Sequence, residues 1–227
     1  MPGARSDHEG HRRRLRERFL ASGGKGMPDY ELLELVLMGA IARRDVKSIA
    51  KRLLKVFGSY EGVLTAPPER LCEVEGVGES AAAMLKAVEA SAIRLAQARV
   101  LGRPLISNWQ ALLEYCHAAM AHAAREQFRV LFLDRKNVLI ADEVQQEGTV
   151  DHTPVYPREV IKRALELQAS AIILVHNHPS GDPTPSRADI EMTREIAEAG
   201  QKLGIALHDH VVIGRSGHAS FKSLGLL

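Results

Sequence analysis

Apolar residues recur at helical spacing through most of the first hundred positions. Leu32, Leu33, Leu35, Val36 and Leu37 form one apolar face that Gly39 ends. Ile49, Leu53, Leu54, Val56 and Phe57 form another that Gly58 ends. Glycine just past such a run is a common stop, because it takes the left-handed conformation without a Cβ clash. A third helix is expected before Glu75, and a long Ala-rich one from about Ser80 to Arg99. Gly102 and Pro104 break the pattern within Val100–Ser107, which reads as a linker.

Beyond residue 107 the rhythm changes. A helix over 108–123 precedes two strand-like runs, Phe128–Leu133 and Val138–Val144, joined by Asp134-Arg135-Lys136-Asn137 in the manner of a hairpin. A helix over Pro157–Leu167 leads to the apolar run Ala171–Val175. Another runs from Ser186 to about Leu203, and Ile205–Ile213 and Ala219–Phe221 supply the last strands. Interleaved strands and helices imply an α/β unit, a mixed sheet flanked by helices. The expected organisation is a helical unit over 1–100 and a sheet unit over 105–227. There is no internal repeat and no low-complexity segment.

Composition narrows the picture. The 227 residues are 45% hydrophobic but only 4% aromatic, so the core must be built from aliphatic side chains. The net charge of +2 is not that of a polycation. No apolar run has the length of a membrane span, and the first residues lack the apolar core of a secretion signal. Cys72 and Cys116 sit in no C-x-x-C pair and far from the histidine cluster, which argues against disulfides and thiolate metal sites. A reduced, cytoplasmic setting is the expectation.

The chemistry concentrates between residues 171 and 189. The apolar run ends in His176-Asn177-His178, and side chains two apart on a strand point to the same side. Pro179, Pro183 and Pro185 stiffen the following loop, and Asp189 returns eleven residues after His178. Two imidazoles and one carboxylate leave a tetrahedral zinc with one open position, the ligand count of a catalytic site. Ser186 and Asp189 also have the spacing of a helix capping box, and a carboxylate has oxygens enough for both roles. His208 and His210 flank Asp209 and are read as supporting or core residues; His152 and His218 are read as surface. A contiguous H-N-H is not a nuclease signature, and Asn177 is given no role.

His176, His178, Pro179, Ser186 and Asp189 match the H-x-H-P-x6-S-x-x-D pattern in identity and spacing. The stretch resembles the JAMM motif of the MPN/Mov34 metalloproteases. Together with Leu207–Gly214, the amino-terminal His11–Phe19 and Asp29–Glu34, the chain resembles the RadC (UPF0758) family over nearly its whole length. The resemblance implies one Zn2+ per chain, held by His176, His178 and Asp189, acting on a peptide or protein substrate. It also implies a glutamate ahead of the unit's first strand as proton shuttle. Glu126 has that position; Glu143 and Glu147 are its rivals. By the same resemblance the Ser186 hydroxyl supports the developing oxyanion.

In the amino-terminal half, Leu71–Ala82 resembles a helix-hairpin-helix, with Gly76, Val77 and Gly78 at the turn. Such a turn offers backbone N–H groups to a phosphate at a helix start, which would give sequence-independent DNA contact. Glu75 and Glu79 oppose it. Arg12, Arg13, Arg14, Arg16 and Arg18 either meet phosphates or form a solvated helix face. The main expectation is therefore a zinc metallopeptidase or isopeptidase. The alternative is a DNA-binding repair or recombination accessory whose metal site is vestigial or serves another hydrolysis. A ligand-free interaction module fits less well, because the ligand set is intact.

Overall fold

A chain whose apolar positions switch from helical to strand spacing should fold as separate cores, and this one divides into two units, Met1–Ser91 and Ala92–Leu227. The computed structural model describes residues 3–42, 44–105, 108–148 and 155–227, with side chains from Gly10 onward. A helical amino-terminal region is followed by a five-stranded mixed sheet flanked by helices, as expected.

The first unit contains α1 (Gly3–Ser22), α2 (Asp29–Ala40), α3 (Lys47–Phe57), α4 (Tyr60–Thr65), α5 (Pro68–Cys72) and the start of α6 (Glu79–Ala98). Leu33, Leu37, Ile49, Leu53, Val63, Leu71 and Leu85 form its dry core. The single helix expected before Glu75 is in fact α4 and α5. Pro67 has no amide hydrogen to continue a helix, and it forces Ala66 into an extended conformation with ψ 143°. The arginine cluster is partly structural. Arg12 donates to the carbonyls of Ile41, Ala42 and Arg44 at 2.8, 2.7 and 2.6 Å, closing the end of α2. Arg18 is bonded to Glu31 of α2.

Residues 71–82 fold as two helices about a tight turn. Val77 is buried in the core of this unit, and Gly76 has φ +92°. The positive φ disfavours a side chain at Gly76, and a Cβ there would also press on Ile49 Cδ1 at 2.9 Å and require that side chain to shift.

The second unit takes the end of α6 and then α7 (Trp109–Met120), β1 (Gln127–Leu133), β2 (Leu139–Glu147), α8 (Pro157–Glu166), β3 (Ala171–Asn177), α9 (Arg187–Lys202), β4 (Ala206–Ile213) and β5 (His218–Ser220). The strand order is β2-β1-β3-β4-β5. The pair β3–β4 is parallel and the other pairs are antiparallel. Val100 and Leu105, read from sequence as linker, are buried in this unit, with bridges Leu101↔Leu139 and Pro104↔Val138.

Alternation along each strand divides the core between the two faces. Leu131, Leu133, Ile173, Val175, Val211 and Ile213 meet α7. Phe128, Val130, Phe132, Ile172 and Leu174 meet α8 and α9. Central β3 is buried at all seven positions, which is why it reads as an unbroken apolar run.

Candidate metal centre

β3 delivers the first imidazole. His176 shares the α8/α9 side with Ile172 and Leu174 and is fully buried. The strand extends through Asn177, two residues beyond the apolar run, so His178 is the first residue outside it and is partly exposed. Asp189 enters from the first turn of α9. Its position is set by a reciprocal capping box: Ser186 N–H donates to Asp189 Oδ2 at 2.7 Å, and Asp189 N–H donates to Ser186 Oγ at 3.1 Å. That cap contributes about 1 kcal/mol to the helix start.

His176 Nε2 and His178 Nε2 lie 2.9 Å apart. They stand 3.4 and 3.5 Å from Asp189 Oδ1 and Oδ2. Ligand atoms of the three side chains fall within 4.8 Å of one another, the one such group of His, Cys or acidic residues among the described residues. The loop between them is firmly built. His178 Nδ1 is 2.8 Å from the Asp182 carbonyl, which can only accept, so Nδ1 carries a proton and Nε2 is the nitrogen turned to His176 and Asp189. Asp182 Oδ1 accepts from Thr184 N–H and Oγ1–H at 2.9 and 2.7 Å. Arg215 donates to the Pro179 carbonyl at 3.0 Å.

Behind His176 lies His210 of β4, also fully buried, with its Nε2 2.7 Å from His176 Nδ1. His210 stacks on Phe221 at 4.5 Å and meets Phe128 edge-on. Its Nδ1 is 2.6 Å from Thr193 Oγ1 of α9. The Thr193 hydroxyl also lies 2.5 Å from the backbone carbonyl of Asp189.

The electrostatics follow from this crowding. Burial pushes the Asp189 carboxyl up, but His176, His178 and Ser186 outweigh it and hold it well below the usual carboxylate range. The Asp189 partner raises the His178 pKa, with a smaller push from Glu126. Burial among aromatic rings drives His210 well down, so that it is neutral.

Glu126 is half-buried, immediately ahead of β1, and close enough for its charge to act on His178. Its backbone is gripped from both sides by one side chain. Asn177 Oδ1 accepts from Gln127 N–H at 2.9 Å, and Asn177 Nδ2 donates to the Arg125 carbonyl at 3.1 Å. The rival Glu143 is tied to Arg163 of α8 by bonds of 2.6 and 2.8 Å, and Glu147 is exposed at the end of β2.

Of the other histidines, His208 bonds Asn137 in the β1–β2 turn at 2.6 Å, toward the opposite end of the sheet. His218 is exposed, and His152 lies outside the described residues. Gly76, Val77 and Gly78 belong to the first unit. Two residues with clear contacts in the centre had no role in the sequence reading. Asn177 could have been noticed as a polar residue inside a buried strand. Thr193 could have been noticed four residues after Asp189, on the same side of the helix.

The chain is similar to known proteins over most of its length. Residues 106–226 match the RadC-like JAB domain, and residues 9–83 match the UPF0758 N-terminal domain. A UPF0758 protein of Rhodobacter capsulatus is 68% identical over 213 residues, covering 94% of this chain and 100% of its own length. A UPF0758 protein of Ruegeria pomeroyi is 64% identical over 217 residues, covering 96% and 97% respectively. With both of its units matched in this way, the chain belongs to the RadC (UPF0758) family and carries a JAB domain of the JAMM-type fold.

Proposed function

We propose that the second unit is a zinc-dependent hydrolase of amide bonds, peptide or isopeptide, with His176, His178 and Asp189 as metal ligands. One observation carries the reading. Two imidazole nitrogens and a carboxylate converge within 4.8 Å. His176 Nε2 and His178 Nε2 lie 2.9 Å apart and face the Asp189 carboxylate at 3.4 and 3.5 Å, so the donors surround one point that a cation fits. Nitrogen and oxygen donors with no thiolate suit zinc, and three protein ligands leave a position open.

A zinc ion there supplies a Lewis acid that polarises a carbonyl and lowers the pKa of a water to about 7. The chain must move the proton. Glu126 is the available carboxylate, since Glu143 is committed to Arg163. It takes a proton from the attacking water and returns it to the departing amine. The Ser186 hydroxyl accepts from Asp189 N–H, which leaves its own proton to donate to the oxygen that gains charge.

The test has two stages. Protein purified without chelator is analysed for metals, and about one zinc per chain is expected, lost in His176→Ala. An internally quenched peptide and isopeptide library is then screened with and without chelator. Turnover that survives Glu126→Gln, or a parent protein without zinc, would overturn the proposal.

The helical unit favours a second, separable reading: sequence-independent contact with a nucleic-acid backbone at Gly76–Gly78. Arg52 supports it, lying against the turn with Nη2 2.9 Å from the Glu75 carbonyl, beside a groove lined by Lys55 and Arg70 but also by Glu73 and Glu75, which pair with Arg70 and Arg52. Fluorescence anisotropy with a labelled duplex should show binding that weakens as salt rises and is lost in Gly78→Glu. No binding at low salt would leave the unit as a protein-interaction module.

A further inference from the structure

The hydrogen bonds around His176 form a closed circuit. It runs from the Asp189 backbone carbonyl to Thr193 Oγ1, on to His210, to His176, and back to the Asp189 carboxylate. Each link has only certain proton placements open to it, and together they leave one solution.

The circuit starts at an acceptor with no alternative. A backbone carbonyl cannot donate, so the single proton of the Thr193 hydroxyl must point at Asp189 O, 2.5 Å away. Were that proton turned toward His210 instead, two oxygen lone pairs would face one another at that distance. With its proton spent, Thr193 Oγ1 can only accept from His210, 2.6 Å away, which requires the proton on His210 Nδ1. His210 is fully buried between Phe128 and Phe221, and its ring nitrogens meet Thr193 Oγ1 and His176 Nδ1, with no carboxylate bonded to them to offset a second proton, so its Nε2 is bare. Nε2 must then accept from His176 Nδ1–H, at 2.7 Å. That leaves His176 with its Nε2 lone pair directed at Asp189 and His178.

We propose that Thr193, acting through His210, is a positioning residue that fixes the tautomer of His176 and so presents a bare Nε2 to the metal. The inference rests on the metal-centre reading above and goes beyond it, because it assigns a role to two residues outside the proposed ligand set. It also explains a polar pair in an apolar core. A single hydroxyl two histidines away decides whether the site opens with a lone pair or with a proton in the way. Without the hydroxyl, His210 is free to carry its proton on Nε2 and donate to His176 Nδ1. The His176 proton then sits on Nε2, where zinc must displace it. Partners behind a ligating histidine typically change metal affinity ~10–100-fold.

The full-length parent, Thr193→Val and Thr193→Ser are compared by two measurements. Zinc affinity is read by competition with a chromophoric chelator. Long-range 1H–15N spectra of histidine-labelled protein show which ring nitrogen carries the proton. The parent should show protonated Nδ1 on both His176 and His210. Thr193→Val should lose ~10–100-fold in affinity with its fold intact, and Thr193→Ser should restore most of it together with the parent spectrum. Parent-like affinity in Thr193→Val, or a proton on His210 Nε2 in the parent, overturns the inference. Should Thr193→Val not fold, the parent spectra and Thr193→Ser decide. A parent that takes up no zinc refutes the proposed function instead, and the proton positions in metal-free protein still test the circuit.

Discussion

Replacing Asn177 tests how the sheet holds Glu126. The β1–β3 ladder ends at the pair Phe128↔His176. One residue further, Asn177 pairs through its backbone with Ile213 of β4 on the other side, and its side-chain amide takes over toward β1. An amide can do this because it donates and accepts at one reach. Asn177→Leu keeps the bulk and removes both bonds. Each contributes about 1 kcal/mol, more where water cannot fully replace it. Asn177 is fully buried, so a loss of roughly 2–3 kcal/mol is expected. For a protein of this size that lowers the melting temperature by about 5–10 °C. Asn177→Asp should be at least as harmful, since it sets a fully buried carboxylate against the Arg125 carbonyl. Zinc content should survive in Asn177→Leu, because His176 is held by β3 and by His210. Amide exchange at 126–128 should accelerate, and turnover should fall toward that of Glu126→Gln. Parent-like melting and exchange in Asn177→Leu would refute the reasoning. So would loss of zinc with that segment still protected, which would make Asn177 a support of the metal loop.

Three further outcomes follow from the same contacts. Asp189→Asn should lose zinc while the metal-free protein melts nearly as before, because asparagine can still accept the Ser186 N–H; a large fall in melting temperature would mean that Asp189 is mainly a cap. Glu143→Gln should leave zinc and turnover unchanged, because that carboxylate serves Arg163; loss of turnover there would show that Glu143, not Glu126, moves the proton. The Arg18 bond holds the Glu31 carboxyl below its usual range, so its contribution is present above the unfolded value and is lost as pH falls through the folded one. Glu31→Gln should therefore be less stable than the parent at neutral pH, with the gap closing below about pH 4 in urea titrations; a gap independent of pH would refute the ion-pair account.

Much of the fold was legible because local patterns coincide with it. The run Ala171–Val175 is buried on both faces and reads as such. Ser186 and Asp189 were readable as a capping box because the motif is local, and the same spacing delivers the carboxylate to the site. Legibility failed where context overrode the local signal. Gly102 and Pro104 made Val100–Ser107 look like a linker, yet Val100 and Leu105 fill the second core. The break at Pro67 is written in the sequence, but the flanking apolar residues keep helical spacing across it and mask it. Arg12 and Arg18 read either as phosphate contacts or as a solvated helix face, because no short-range pattern shows that carbonyls after α2 and a carboxylate within it await them.

The support behind the metal site was hidden for a sharper reason. Its bonds join residues 34, 17 and 50 positions apart, so they depend on strand register rather than on any motif. Register in β4 departs from simple alternation. Counting by twos from Leu207 places Asp209 on the α8/α9 side with it and turns His210 toward α7. The β3–β4 pairing contains a shift: Ile172 pairs with Leu207 and the next residue, Ile173, pairs with Asp209, so His208 is extra. One extra residue exchanges the faces of everything after it. Val211 and Ile213 consequently pack toward α7. Asp209 lies on their side, where it accepts from Ser220 Oγ–H and from Lys222 N–H. His210 is brought beneath His176. Without the bulge the buried carboxylate rather than the imidazole would face the metal centre, and His176 would have no neutral partner to fix its proton. The irregularity at His208 is thus what makes Asp209 a structural residue and His210 part of the site.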